Sequence, residues 1–208
     1  MKTISEEQLL SRLAIVGEGE RRLVAIAGPP GSGKSTLAEK LEYKLNASMP
    51  GYAAIFPMDG FHYDDLVLVP RGLRPRKGAP ETFDIEGFIH MLERLRSNTA
   101  KEVAVPVFDR SLEISRAAAR IIPQSVRLII VEGNYLMLEL DHWRELSFDT
   151  TVMLHVERET LRQRLVGRWI QHGKTPDEIA IQVDSNDMIN VDLIQNSSRI
   201  ADFSIDGS

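Results

Sequence analysis

The chain contains no cysteine. Disulfides and thiolate metal sites are therefore excluded, and the absence fits a reducing, cytoplasmic setting. No apolar run is long enough to cross a bilayer. The N-terminal stretch MKTISEEQLLSRLA is charged and amphipathic and lacks the apolar centre of a secretory signal. An excess of bases is missing too: 30 acids stand against 25 bases, for a net charge of −5. That balance argues against a general nucleic-acid binder. What is present is ordinary for a globular chain: 208 residues, 43% hydrophobic and 26% charged. There is no repeat, linker or low-complexity segment, so residues 1–208 are expected to form a single domain.

Ser5 and Gln8 have the spacing of a capping box, with Ile4 and Leu9 placed as a staple. The helix they begin is expected to run to about Val16, with Gly17 and Gly19 ending it. RRLVAIAG and YAAIFPM read as buried strands, and KSTLAEKLEYKL between them puts Leu37, Leu41 and Leu45 on one helical face. Asp64 to Pro80 reads as a long loop, and DIEGFIHMLERLRSN as a helix. EVAVPVFD, RLIIVEG, TTVMLHV and ADFSI are further strands, and RETLRQRLVGRWIQHG is a strong helix ended by Gly173. Apolar strands alternating with helices predict an α/β fold in three layers. Its mostly parallel sheet of about five strands should carry helices on both faces and ligands at the strands' carboxyl ends.

The run Gly28, Pro29, Pro30, Gly31, Ser32, Gly33, Lys34, Ser35 fits G-x-x-x-x-G-K-[ST]. Glycines let the backbone turn tightly and aim its N–H groups at phosphate oxygens. Lys34 supplies a cation to the β and γ phosphates, and Ser35 a hydroxyl to Mg²⁺. The helix that follows adds its positive end. Thr36 is counted with the same phosphate-binding set. At average residue usage such a run arises by accident in roughly one per cent of chains this long. The strand before it and the helix after it make accident rarer, and ATP with Mg²⁺ is the expected ligand.

A GTPase would carry Asn-Lys-x-Asp, which is absent, and Asp84 to Gly87 (DIEG) stands alone at a helix start. A motor would end its second acidic strand on adjacent acids, whereas RLIIVEGNY ends on Glu132 alone. A small-molecule kinase fits better. YAAIFPM is followed at once by Asp59, on the same sheet edge as the phosphate loop. There it can take or orient a hydroxyl proton, or reach the metal; the bland alternative is an Asp-Gly turn. Ser35, Asp59 and Glu132 are thus the expected metal set, and the bland alternative for Glu132 is a helix cap.

Arg164 and Arg168 form an i, i+4 pair on the strong helix, as do Arg158 and Arg162, while Leu161, Leu165 and Trp169 share its inner face. Guanidinium groups at this spacing suit a lid that grips phosphates; the alternative is a solvated basic face. Arg164 is assigned to the nucleotide, and Arg168 joins Lys34 and Asp59 as catalytic. His62 and His172 lack paired zinc spacing and read as polar residues near the site rather than metal ligands. The loop RGLRPRKGAPETF carries Arg71, Arg74, Arg76 and Lys77. With Asp109 and Arg110 across from it, it predicts a polar acceptor pocket of Asp59, His62, Lys77, Asp109 and Arg110.

These motifs together resemble the phosphoribulokinase/uridine kinase group of P-loop kinases over most of the chain: the phosphate loop, MDGFHYDD, VEGNY, the arginine helix and ADFSI. DGFHYDDLVLVPRGLRPRKGAPETFD is similar to the bacterial pantothenate kinase pattern in Asp59, Gly60, Phe61, Gly72, Leu73, Lys77, Gly78, Pro80, Glu81, Phe83 and Asp84. The resemblance implies Asp59 as base, with Glu132 and Ser35 at Mg²⁺. PVFDRSLEIS departs from the acceptor elements of both pantothenate and uridine kinases at Phe108, Asp109, Arg110 and Glu113. The chain most resembles a shorter bacterial subgroup labelled nucleoside/nucleotide or fructose transport system kinases. The implied partner is a small hydroxyl acceptor: a sugar such as fructose, a pantothenate-like compound or a nucleoside. No nucleic acid or membrane partner is implied, and a homodimer is compatible with the sequence. The rival class is a regulatory nucleotide-binding protein with only weak ATP hydrolysis.

Overall fold

The computed structural model describes residues 1–15, 17 and 19–207. Its elements run β1 (Lys2–Thr3), α1 (Glu6–Leu13), β2 (Arg22–Ala27), α2 (Lys34–Ser48), β3 (Ala53–Pro57), α3 (Asp65–Leu68) and α4 (Ile85–Ser97). The second half adds β4 (Glu102–Asp109), β5 (Ile114–Pro123), β6 (Leu128–Gly133), β7 (Thr150–His155), α5 (Arg158–Gln171), α6 (Pro176–Gln182), α7 (Met188–Ser197) and β8 (Phe203–Asp206). A π turn, Val183–Asp187, joins α6 to α7.

Six strands form one sheet in the order β1-β8-β7-β2-β6-β3, and every neighbouring pair is parallel. The inner strands are apolar throughout, and their alternation splits the core in two. Leu23, Ala25 and Ala27 of β2, Ile129 and Val131 of β6 and Met153 of β7 face α4 and the segment 135–146. Val24, Ile26, Ile130, Val152 and Leu154 face α1 and α2, where Leu9, Leu13, Leu37, Leu41 and Leu45 are buried. A strand buried on both faces must read as a continuous apolar run, which these do. A third cluster, with Leu161, Leu165, Ile179, Val183 and Val191, binds α5 to α6 and α7.

Several expectations need adjustment. The sheet has six strands rather than about five, because Lys2–Thr3 adds a short edge strand beside β8. The EVAVPVFD strand lies outside this sheet and pairs antiparallel with β5. Pro106 gives the reason, since it cannot donate to a central ladder; the register shifts beside it, between Val105 and Val107. Asp64 to Pro80 is not wholly loop: Asp64 accepts from the Leu66 amide and caps the one-turn helix α3. The capping box at Ser5 forms as expected, but α1 ends at Leu13 with Ala14 as its cap; the expected end at Val16 lies outside the described residues. No helix among the described residues is long and apolar enough to cross a membrane.

Candidate active site

The phosphate loop joins the end of β2 to the start of α2. Gly31 and Gly33 hold φ of +82° and +91°, a conformation that only glycine adopts at little cost. With Gly33 as cap, α2 starts at Lys34 and its first amides are left to face a ligand. Ser35 Oγ donates to Glu132 Oε2 at 3.0 Å, because β6 lies directly beside β2 and ends level with the loop. Burial, then Asp59, pushes the Glu132 carboxyl up, against the attraction of Lys34 and the Ser35 hydroxyl. Burial likewise pushes Lys34 down, against the pull of Glu132 and Asp59.

Asp59 follows β3 in a 3-10 turn, Met58–Phe61. Its Oδ2 accepts from Arg110 Nη2 at 2.9 Å, with the Asp59 side chain 18% exposed and that of Arg110 48% exposed. Burial works to raise this carboxyl, but His62, Arg110, Lys34 and Arg168 together hold it below the ordinary carboxylate range. The His62 ring is itself pushed toward its neutral form by burial, so at neutral pH the holding falls to Arg110, Lys34 and Arg168. His62 Nδ1 lies 2.7 Å from the Asp59 carbonyl oxygen. Its ring sits between Phe83 and Phe108, at 4.0 and 4.6 Å between centroids.

A cleft of about 660 Å³ is lined by Pro30, Gly31 and Gly33 to Thr36 of the phosphate loop, Asp59, His62, Lys77, Arg110 and the α5 arginines 164 and 168; Glu132 lines an adjoining hollow with Ser35, Asp59 and Arg110. Arg164 Nη1 donates to the Gly31 carbonyl at 3.2 Å, which sets α5 against the loop. Burial and Arg110 depress the Arg168 pKa. The other arginine pair points elsewhere: Arg158 is held by Asp192 and Arg162 by Asp184.

Lys77 Nζ donates to Asp65 Oδ1 and to the Glu113 carbonyl, each at 2.7 Å, so it ties the loop of residues 71–83 to the tip of the β4–β5 hairpin. Asp109 is not among the residues lining the cleft. Its Oδ1 accepts from the Ser111 amide and hydroxyl, and its Oδ2 from Arg116, so it shapes the turn that presents Arg110. Gly28, Pro29 and Ser32 are not among the residues lining the cleft. Sequence reasoning missed Asp187, Asn190, Trp169 and Glu113, all of which line it. The one available signal was the capping box of Thr175 and Glu178 with Pro176 at the first helical position, which begins the segment carrying Asp187 and Asn190.

The donor set suits Mg²⁺ bound with nucleotide. Ser35 Oγ and Glu132 Oε2 are hard oxygen donors already in contact, with the Asp59 carboxylate close by. Among the described residues no group of three or more His, Asp or Glu forms a cage of its own. Mg²⁺ needs none, because it takes one or two carboxylates and completes its shell with phosphates and water.

A family model described as AAA domain matches residues 24–187. The Escherichia coli protein YggC is 36% identical over 202 residues, covering 95% of this chain and 83% of its own. A Schizosaccharomyces pombe protein provisionally named uridine kinase is 32% identical over 203 residues, covering 93% of this chain and 86% of its own. A crystal structure from Silicibacter sp. TM1040, provisionally named a fructose transport system kinase, superposes with a TM-score of 0.89 at 39% identity, covering 97% of this chain and 98% of that one.

Proposed function

We propose, for a chain that belongs to the P-loop kinase family matched by that AAA-domain model, that it transfers the γ-phosphate of ATP to a hydroxyl of a small metabolite in the cytoplasm. The observation that carries this reading is the placement of Asp59. Its carboxylate, held in the ionised form, shares one cleft with the phosphate loop.

In this reading the loop amides, Lys34 and Arg164 hold the triphosphate, and Arg168 faces the charge that spreads over the transferred group. Ser35 and Glu132 would hold Mg²⁺, directly or through water; when bound, the ion neutralises charge on the β and γ phosphates. Asp59 accepts the acceptor's hydroxyl proton as that oxygen bonds to the γ-phosphorus and the bond to the β–γ bridging oxygen breaks, leaving ADP. Arg110, now paired with Asp59, turns to the acceptor or the incoming phosphate, and His62 and Lys77 line the acceptor's side. The test is ADP release with Mg²⁺ and ATP across D-fructose, D-ribose, uridine and D-pantothenate, with Lys34→Ala as control. Release that depends on one of these compounds and is lost in Lys34→Ala supports the reading. Slow release indifferent to every acceptor sinks it and favours a regulatory nucleotide binder.

A further inference from the structure

We propose that Asp187 and Asn190, carried into the cleft by the π turn between α6 and α7, form a hydroxyl-binding subsite that selects a polyhydroxylated acceptor. The inference rests on the kinase reading and assigns the acceptor's class. π turns inside helical runs frequently mark functional sites. This one sits in an otherwise apolar packing layer: Val183, Met188 and Val191 are core, yet Asn186, Asp187 and Asn190 are buried beside them at 2%, 9% and 3% exposure.

Asn186 has its own work. Its Oδ1 accepts from Arg76 at 2.8 Å and its Nδ2 donates to the Lys77 carbonyl at 3.0 Å. These bonds fix the π turn to the loop that carries Arg76 and Lys77. The other two residues have capacity left over. Asp187 accepts from Trp169 Nε1 at 2.6 Å and from the Gln182 side chain, while a carboxylate offers about four acceptor positions. Burial raises the Asp187 pKa against that indole bond and the attraction of Arg168. The contacts of Asn190, to Arg76 and to Asn186, are both at 3.4 Å, beyond the usual length of a good hydrogen bond.

Both residues line the cleft. An acceptor-only carboxylate beside a carboxamide that can donate and accept is the chemistry that binds neighbouring hydroxyls. Asn134 adds to the demand, since its Oδ1 is shielded from solvent without a hydrogen-bond partner and the residue lines the same cleft. An apolar acceptor would leave Asn134 Oδ1 dry and unpaired, at about 1–3 kcal/mol, and the spare positions of Asp187 and Asn190 unfilled. A ligand with several hydroxyls satisfies them.

Trp169 reports on the site directly through its bond to Asp187. The chain has two tryptophans, and the other, Trp143, is buried in the main core. In a Trp143→Phe protein, the emission of Trp169 is followed during titration with D-fructose, D-ribose, uridine and D-pantothenate. Hexan-1-ol serves as a single-hydroxyl control, and ADP release is measured in parallel. We expect a saturable change with a polyhydroxylated compound and none with hexan-1-ol. Asp187→Asn and Asn190→Ala should each weaken that binding by about tenfold or more, with Mg²⁺–ATP affinity within about threefold of the parent. If Asp187→Asn does not fold, Asn190→Ala carries the test, because it leaves the Trp169–Asp187 bond in place.

Unchanged polyol binding in the variants, equal saturation by hexan-1-ol, or no response to any compound overturns the subsite. Polyol binding that Asp187→Asn abolishes, without acceptor-dependent ADP release, supports the subsite and sinks the kinase reading. Acceptor-dependent release that neither variant alters does the reverse.

Discussion

Asp59→Asn removes one negative charge and leaves the shape of the side chain almost unchanged. If Asp59 takes the acceptor's proton, the substitution should lower kcat by about 10²–10⁴, or roughly 2.7–5.4 kcal/mol on the barrier. Its effect on stability should be far smaller. Asp59 is mostly buried, but its partner Arg110 is about half exposed, so solvent screens the pair toward the surface range of about 0–1 kcal/mol. In a domain of this size that corresponds to a Tm shift of no more than about 4 °C.

The pH dependence follows from the direction of the Asp59 shift. Burial opposes ionisation, but the surrounding cations prevail and the folded-state pKa lies below the unfolded one. The group therefore adds stability above the unfolded pKa that is lost as pH falls through the folded pKa. On the same grounds it remains an ionised base down to pH values below the ordinary carboxylate range. Coupled ADP-release assays at saturating acceptor, pH–rate profiles and thermal melts with Mg²⁺–ATP measure all three effects. A kcat within about threefold of the parent, with ATP or Mg²⁺ affinity collapsed, would refute the base assignment. So would activity and Tm falling together, because the loss would then be a loss of fold.

Glu132→Gln should raise the Tm of the ligand-free protein at neutral pH. The folded Glu132 has a raised pKa, so its ionisation costs stability as pH rises, and the gain should vanish in acid. The same variant should need more Mg²⁺ for half-maximal activity; an unchanged Mg²⁺ titration removes Glu132 from the metal site. Gly60→Ala should destabilise by about 1–3 kcal/mol in a denaturant melt, because the new Cβ would lie 2.5 Å from the Pro106 carbonyl oxygen. A neutral outcome would mean that the hairpin shifts freely at this contact. Arg76→Ala, which frees the acceptor-side loop from Ser185, Asn186 and Asn190, should raise the acceptor KM with the ATP KM within about threefold. A disturbed ATP KM alone would place that loop over the nucleotide.

The phosphate loop, Asp59 and Glu132 were legible in the sequence because each sits at the end of a short apolar run. A parallel sheet delivers all such ends to one edge. β5 was not legible. ISRAAARIIP neither alternates nor stays apolar, because this strand is exposed along most of its length and packs through its hairpin partner. Lys2–Thr3 is two residues long and exists only because β8 offers an edge. Asp187 and Asn190 are harder still, since their burial depends on one widened helical turn that shifts the register of every later side chain. No periodicity reveals such a turn before the helix is packed. The α5 arginines were legible as candidates, but which of them face the cleft depends on acids distant in sequence. Asp192 and Asp184 hold Arg158 and Arg162, so Arg164 and Arg168 line the cleft.

The β4–β5 hairpin shares no strand pairing with the six-stranded sheet. Its base is anchored instead by Val103, Val105 and Ile122, which are buried in the main core, and side-chain bonds fasten it further: Arg120 to the Ile55 carbonyl, Ser115 to the Gly60 carbonyl, and Lys77 to the Glu113 carbonyl at its tip. The tip that carries Arg110 and Glu113 can therefore be lengthened, shortened or rewritten without disturbing the register of β2, which leads to Lys34, or of β6, which carries Glu132. Surface turns tolerate such changes far better than packed strands do. In an ancestral chain, the partner to be phosphorylated could change through edits to a dozen residues of hairpin while the triphosphate machinery was inherited intact.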